Sequence, residues 1–203
     1  MKYNSTPKYL GVTFDRALTF KYHLTNTPRK VQSRVNLVRK LAGTTWGADT
    51  SVLRTASHAL VYSAAEYCSP VWLGSAHTDR FDTQPNVAMR TISGTIRSTP
   101  VHWLPVLSNI PPPHLRRKTA LLNEWVKVSQ NECVPLHTDL QSLPAKRLQS
   151  RKPAYEEAER LVESGFDQRA EWKREWREAS PRNSHLPSSL AQRANAARLS
   201  GLQ

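Results

Sequence analysis

The spacing of apolar residues changes once, near residue 20, and that change limits the folds open to this chain. Leu10, Val12 and Phe14 alternate with Gly11 and Thr13, and Leu18 and Phe20 resume the step after Asp15-Arg16. A two-residue period is that of a half-buried strand, so the opening reads as a hairpin turned at Asp15-Arg16. From Leu24 onward apolar residues recur at three- and four-residue steps, the period of a helix with one buried face. The expected fold is mainly α: an N-terminal β-hairpin, a helical bundle, a Pro-rich strap and a loosely ordered C-terminal helix region.

The first helical span covers residues 22–42. Leu24, Val31, Val35, Val38 and Leu41 share one face, and Arg29 and Lys40 lie opposite it with Lys30 and Arg39 on the flanks. Pro28 suits the first turn of a helix whose N-cap is Thr27, so the spacing predicts a start there and a stop at Gly43. Residues 50–67 repeat the pattern through Leu53, Ala56, Leu60, Ala64 and Tyr67, with Pro70 forcing a stop or bend soon after. A third helix is expected over 78–94 and a fourth over 114–129, the latter carrying Leu115, Leu122, Trp125 and Val126. Between them, five prolines from Pro100 to Pro113 predict an extended or polyproline strap, laid on the helices by Trp103, Leu104, Val106, Leu107 and Ile110.

Residues 130–153 read as irregular, solvated chain. Residues 154–179 read as a charged helix anchored by Leu161, Trp172 and Trp176, with Gly165 able to divide it. The two tryptophans are four apart and share a face, suited either to packing on the body or to a partner. Residues 180–203, rich in Ser, Ala, Asn and Arg, carry too little apolar surface for firm order. The organisation expected is a hairpin (1–23), a helical domain (24–130), a linker (131–153) and a charged helical tail (154–203). Apolar residues make up only 38% of the chain, which fits part of it being loose.

Charge is the main bulk signal. The net charge is +13, and residues 1–150 hold 19 basic against 8 acidic side chains. Residues 151–203 hold 10 against 8, so the excess sits in the first three quarters. A polyanion is the expected partner, and nucleic acid is the commonest one; plain solubility accounts for the same balance. No apolar run reaches membrane-spanning length, and no secretory h-region opens the chain. Cys68 and Cys133 are the only cysteines, read as buried small residues in a reducing, intracellular setting, nucleus or cytoplasm. The seven histidines are scattered without ligand spacing, and Asp79 and Asp82 read as surface charges on one helix.

Several segments, in order, carry a resemblance. They are Tyr9-Leu10-Gly11-Val12 through Phe20, Arg39 to Gly47, Ala64 to Trp72, Arg90 to Gly94, Trp103 to Ile110 and Pro112 to Arg117. Together they are similar to the region that follows the catalytic palm in jockey- and CR1-like non-LTR retrotransposon reverse transcriptases, over residues 8–128. Residues 170–190, with Trp172 and Trp176, resemble a weaker continuation of it. The resemblance implies the end of a palm with a primer-gripping hairpin, then a thumb-like bundle. It implies that Tyr9 and Gly11 face a primer. If the bundle holds an RNA/DNA template–primer as a thumb does, the expected phosphate contacts are the basic residues Arg29, Lys30, Arg34, Lys40, Arg116, Arg117 and Lys118. The paired catalytic aspartates of that family are absent, so no catalytic residue and no cofactor is expected in this chain. A divalent metal such as Mg is implied only for the missing palm, which becomes an expected partner.

Three functions follow. The chain is a nucleic-acid-holding fragment of an RNA-directed DNA polymerase, inactive by itself; or it retains polymerase chemistry; or it is a remnant or protein-interaction module.

Overall fold

The computed structural model describes residues 5–43, 47–141 and 153–179. The chain is mainly helical with a two-stranded antiparallel hairpin at its start, the fold class that the apolar spacing implies.

The hairpin is earlier and shorter than the alternation suggests. Strand β1 (Lys8–Tyr9) pairs with β2 (Val12–Thr13), with Lys8 opposite Thr13 and Tyr9 opposite Val12. The connection is the two residues Leu10 and Gly11, both left-handed at φ 44° and 86°, as a tight hairpin loop requires. Leu10 therefore points out, 71% exposed, instead of in. Asp15-Arg16 does form a turn, closed by Leu18 N–H donating to the Asp15 carbonyl at 2.9 Å. No second strand follows it, because Leu18 and Phe20 also take positive φ. The Asp15 carboxylate instead accepts from the Thr19 amide and hydroxyl at 2.7 and 2.5 Å.

Helix α1 (Lys21–Leu41) starts six residues before Thr27, so Pro28 lies inside it. Its buried line of Leu24, Val31, Val35 and Val38 packs against the rest of the helical body. Helix α2 (Thr50–Ser57) starts at Asp49, whose carboxylate accepts from Ser51 N–H and Ser51 Oγ. Those bonds hold the Asp49 carboxyl below its ordinary range. The helix runs on through a π-helical turn (His58–Tyr62) into α3 (Ser63–Ala65). The wider turn carries one residue more, which moves the buried line. Leu53, Ser57, Val61 and Ala65 are buried at four-residue steps, whereas Ala56, Leu60 and Ala64 are half-buried and Tyr67 is exposed.

Helix α4 (Ser69–Trp72) inserts Trp72, which meets Phe81 of α5 (Thr78–Phe81) edge to face at 5.3 Å. Helix α6 (Thr83–Ser93) buries Pro85, Ala88, Met89 and Ile92 and ends at Gly94, φ 65°. The strap is not extended throughout. It folds as a 3-10 turn (Val101–Trp103) and α7 (Leu104–Ser108), with Pro105 in the first turn where no amide hydrogen bond is lost. Its apolar residues do lie on the helices, with Leu104, Val106 and Ile110 buried.

Helix α8 (Pro113–Gln130) buries Leu115, Arg117 and Leu121. Its Leu121 joins a second cluster with Ala158 and Leu161 of α10 (Ala154–Glu163), flanked by Leu73, Leu122, Trp125 and Phe166. The expected linker contains a helix, α9 (Pro135–Gln141), where irregular chain was expected. Gly165 at φ 61° separates α10 from α11 (Gln168–Ala179), as its spacing suggested. Trp172 and Trp176 are half-buried on α11, which packs on α8. The weak order expected over 180–203 lies outside the described residues. Cys68 is half-buried and Cys133 exposed, so Cys133 is not the core residue that its type suggested.

Candidate nucleic-acid interface

From Arg16 to Ala48 the sequence has seven basic residues and no acidic one. Helix α1 occupies most of that stretch. Its outer side follows directly from its buried side, because residues 180° from Leu24 and Val35 must face solvent. Tyr22, Asn26, Arg29, Ser33, Asn36 and Lys40 are all exposed at steps of four, three, four, three and four. They form one line about 27 Å long at 1.5 Å per residue. Lys30 and Arg34 run along one flank, Lys21 and Arg39 along the other, all exposed. Among the described residues, Arg29, Lys30 and Lys40 have no carboxylate partner. Arg34 is tethered: its Nη1 donates to the Leu60 carbonyl at 3.0 Å, in the π-helical turn.

The hairpin adjoins the start of this helix through His23. Thr13 N–H donates to His23 Nδ1 at 3.4 Å, and His23 is buried. Tyr9 is 68% exposed. Gly11 does not leave an open approach for another strand's backbone. A Cβ there would meet the Tyr67 ring at 3.2 Å, and the Tyr67 hydroxyl donates to the Leu10 carbonyl at 3.0 Å. The close neighbour that glycine admits is a side chain of the same protein.

The two arginines of α8 are committed to the fold. Arg116 donates twice to the Glu66 carboxylate, both bonds at 2.7 Å, and lies 4.4 Å over the Tyr62 ring. Burial pushes the Tyr62 phenol far above its ordinary range, and its hydroxyl donates to the Pro85 carbonyl at 3.3 Å. Arg117, 4% exposed, donates to both oxygens of Asp82 at 2.6 and 3.0 Å and stands 5.8 Å from the Trp72 ring. Such paired guanidinium–carboxylate forks leave little of either cation for an outside phosphate. Asp82 is thus half of an internal ion pair and not a surface charge. Lys118 is half-exposed on the same turn.

Sequence reasoning therefore found the basic line of α1 but grouped it with two arginines that face inward. It also passed over Tyr22, Asn26, Ser33 and Asn36, which complete the line with hydrogen-bonding groups. The signal was present in their spacing. A row of amide, hydroxyl and cationic side chains, without an acid, is chemically suited to phosphate and sugar contacts.

Among the described residues, no three His, Cys, Asp or Glu side chains gather to hold a metal ion. Glu66 and Asp82 are occupied by their arginines. No helix is long and apolar enough to cross a membrane among the described residues. Comparison with family models, curated proteins and solved structures yields no match for the chain.

Proposed function

We propose that this protein holds nucleic acid through phosphate contacts along the outer side of α1. The observation that carries the reading is the acid-free stretch from Arg16 to Ala48, folded so that Arg29, Lys30 and Lys40 stand exposed and unpaired. Each cation that neutralises a phosphate releases counterions, so binding is favoured by charge density and not by base identity. Asn26, Ser33 and Asn36 add hydrogen bonds that fix position along a backbone. Tyr9 is exposed on the hairpin, whose Thr13 meets His23 at the start of α1. Gly11, Arg116 and Arg117 drop out of the contact set, because each serves an internal contact.

The similarity of residues 8–128 to the post-palm region of jockey- and CR1-like reverse transcriptases supports a narrower form of the reading. In it the ligand is an RNA/DNA template–primer, and the chemistry belongs to a separate palm with its own carboxylates and Mg. A second reading, a protein-interaction module, is favoured by one observation. Tyr9, Leu10, Leu18 and Tyr22, all near the hairpin, are each about half exposed or more. A missing palm would be the natural cover for such residues.

The test is equilibrium binding of the full chain to an RNA/DNA duplex at two salt concentrations. Affinity that falls as salt rises supports the reading. No binding at low salt, or binding indifferent to salt, removes it. Primer extension by the pure chain with Mg²⁺ or Mn²⁺ would show instead that it carries polymerase chemistry of its own.

A further inference from the structure

We propose that His23 is a proton-sensitive latch between the hairpin and α1, closed when the imidazole is neutral and opened when it is protonated. His23 is 7% exposed at the start of α1, and its Nδ1 accepts the Thr13 amide proton across a gap of 3.4 Å. Thr13 is the last residue of β2 and pairs with Lys8. A proton on Nδ1 turns the acceptor into a second donor facing the first, so the bond is lost and both groups are left unsatisfied.

Charge around the ring works in the same direction. Lys8 approaches from β1 and Lys30 from the next turns of α1, and both disfavour a third cation. The nearest carboxylate along the connecting loop, Asp15, is already held by the Thr19 amide and hydroxyl. Burial is the largest reason that the His23 pKa lies below its ordinary value, with Lys30 and Lys8 following.

Other contacts on the hairpin come from different side chains. Val12 is buried, Phe14 meets Phe20 edge to face at 5.8 Å, and Tyr67 bonds the Leu10 carbonyl. A two-residue ladder is too short to persist when released from its support. If α1 binds nucleic acid as proposed above, opening the latch also releases the hairpin that carries Lys8 and Tyr9 from the start of α1. The latch itself does not depend on that reading.

The experiment is an NMR titration of the full chain from pH 8 to pH 5, without nucleic acid. It follows the His23 imidazole and the protection factors of the Thr13 and Phe14 amides. The expected result is a common midpoint below the ordinary histidine range, with hairpin protection falling at least tenfold while Val35 and Ile92 stay protected. His23→Asn keeps an acceptor near the Nδ1 position and cannot titrate, so its hairpin protection should not change with pH. Three results overturn the proposal: hairpin amides unmoved while wild-type His23 titrates, an equal loss in His23→Asn, or simultaneous loss of core protection. The wild-type titration decides the matter even if His23→Asn does not fold.

Discussion

Arg117 reaches both carboxylate oxygens of Asp82, at 2.6 and 3.0 Å, from a side chain that is almost wholly enclosed. Its neighbour Arg116 does the same to Glu66. Two consecutive residues in the first turns of α8 thereby fasten that helix to two separate parts of the body. One is the end of the π-containing helix, the other the junction of α5 and α6. Each guanidinium also lies near an aromatic ring, Tyr62 for Arg116 and Trp72 for Arg117, which replaces part of the water it has lost.

Removing one partner of such a pair leaves the other charge enclosed without compensation. Arg117→Ala is expected to destabilise the protein by about 3–5 kcal/mol. The double variant Arg117→Met with Asp82→Leu should lose much less, because no charge is then stranded. Urea denaturation of Arg117→Met, of Asp82→Leu and of the double variant measures the coupling. A double-variant loss equal to the sum of the two single losses would show that the pair does not act as a unit.

Gly47 admits no side chain. A Cβ there would stand 2.2 Å from the Gly43 carbonyl oxygen, and that atom is backbone. Nearby, the Ala48 amide bonds the Leu41 carbonyl at 2.8 Å, which holds Gly47 close to the end of α1. Gly47→Ala should cost about 1–3 kcal/mol, as overpacking does. Gly74→Ala, where nothing lies within 4 Å, serves as the control and should change stability little. Matching melting temperatures for the two variants would refute the clash.

Pro28 has no amide proton to give the Leu24 carbonyl one turn earlier, although it lies well inside α1. An interior proline costs about 3 kcal/mol, partly recovered through a stiffer unfolded chain worth about 0.4–1 kcal/mol. Pro28→Ala is therefore expected to raise stability by about 2–2.6 kcal/mol. Chemical denaturation checks the sign, and a lower midpoint for the variant would mean that the helix depends on its proline.

These positions also mark where the sequence was readable. The long helices α1, α6 and α8 were visible because residues such as Val31, Val35, Val38 and Leu115 keep a helical step and are buried, whereas α4 and α7 were hidden behind Pro70 and the prolines of the strap. Pro28 misled because proline favours a first turn, and here burial of His23 and Leu24 extends α1 past that preference. Tyr67 and Leu60 misled because a π-helical turn inserts a residue that no α-helical wheel anticipates. The hairpin turn was misplaced because Asp15-Arg16 has ordinary turn chemistry, whereas Leu10 is a poor residue for positive φ. The basic residues on the outer side of α1 were legible from charge and helical spacing. The inward course of Arg116 and Arg117 was not, since only folding brings Glu66 and Asp82 to meet them.

Acid should weaken the fold. The His58 pKa is held below the ordinary value of 6.5, first by burial and then by Arg116 and Arg54. A depressed histidine pKa means that folding favours the neutral ring. Its contribution is complete above the unfolded-state value and declines as pH drops through the folded-state value. Denaturation midpoints should fall between pH 7.5 and pH 5, and His58→Gln should lessen that fall, leaving the share due to His23. An unchanged pH profile in His58→Gln would contradict the assignment.

The central claim is that α1, and not net charge in general, meets the polyanion. The most direct measurement compares the salt dependence of duplex binding for two variants that lose equal charge. One is Arg29→Gln/Lys30→Gln/Lys40→Gln on α1; the other is Arg169→Gln/Lys173→Gln/Arg177→Gln on α11, where all three are also exposed. Arg34 is left intact because it also holds the Leu60 carbonyl. The α1 variant should flatten the plot of log affinity against log salt by nearly one unit per cation, about three in all. The α11 variant should keep the wild-type slope. Equal slopes in the two variants, or an α1 variant that binds as the wild type does, would contradict the account.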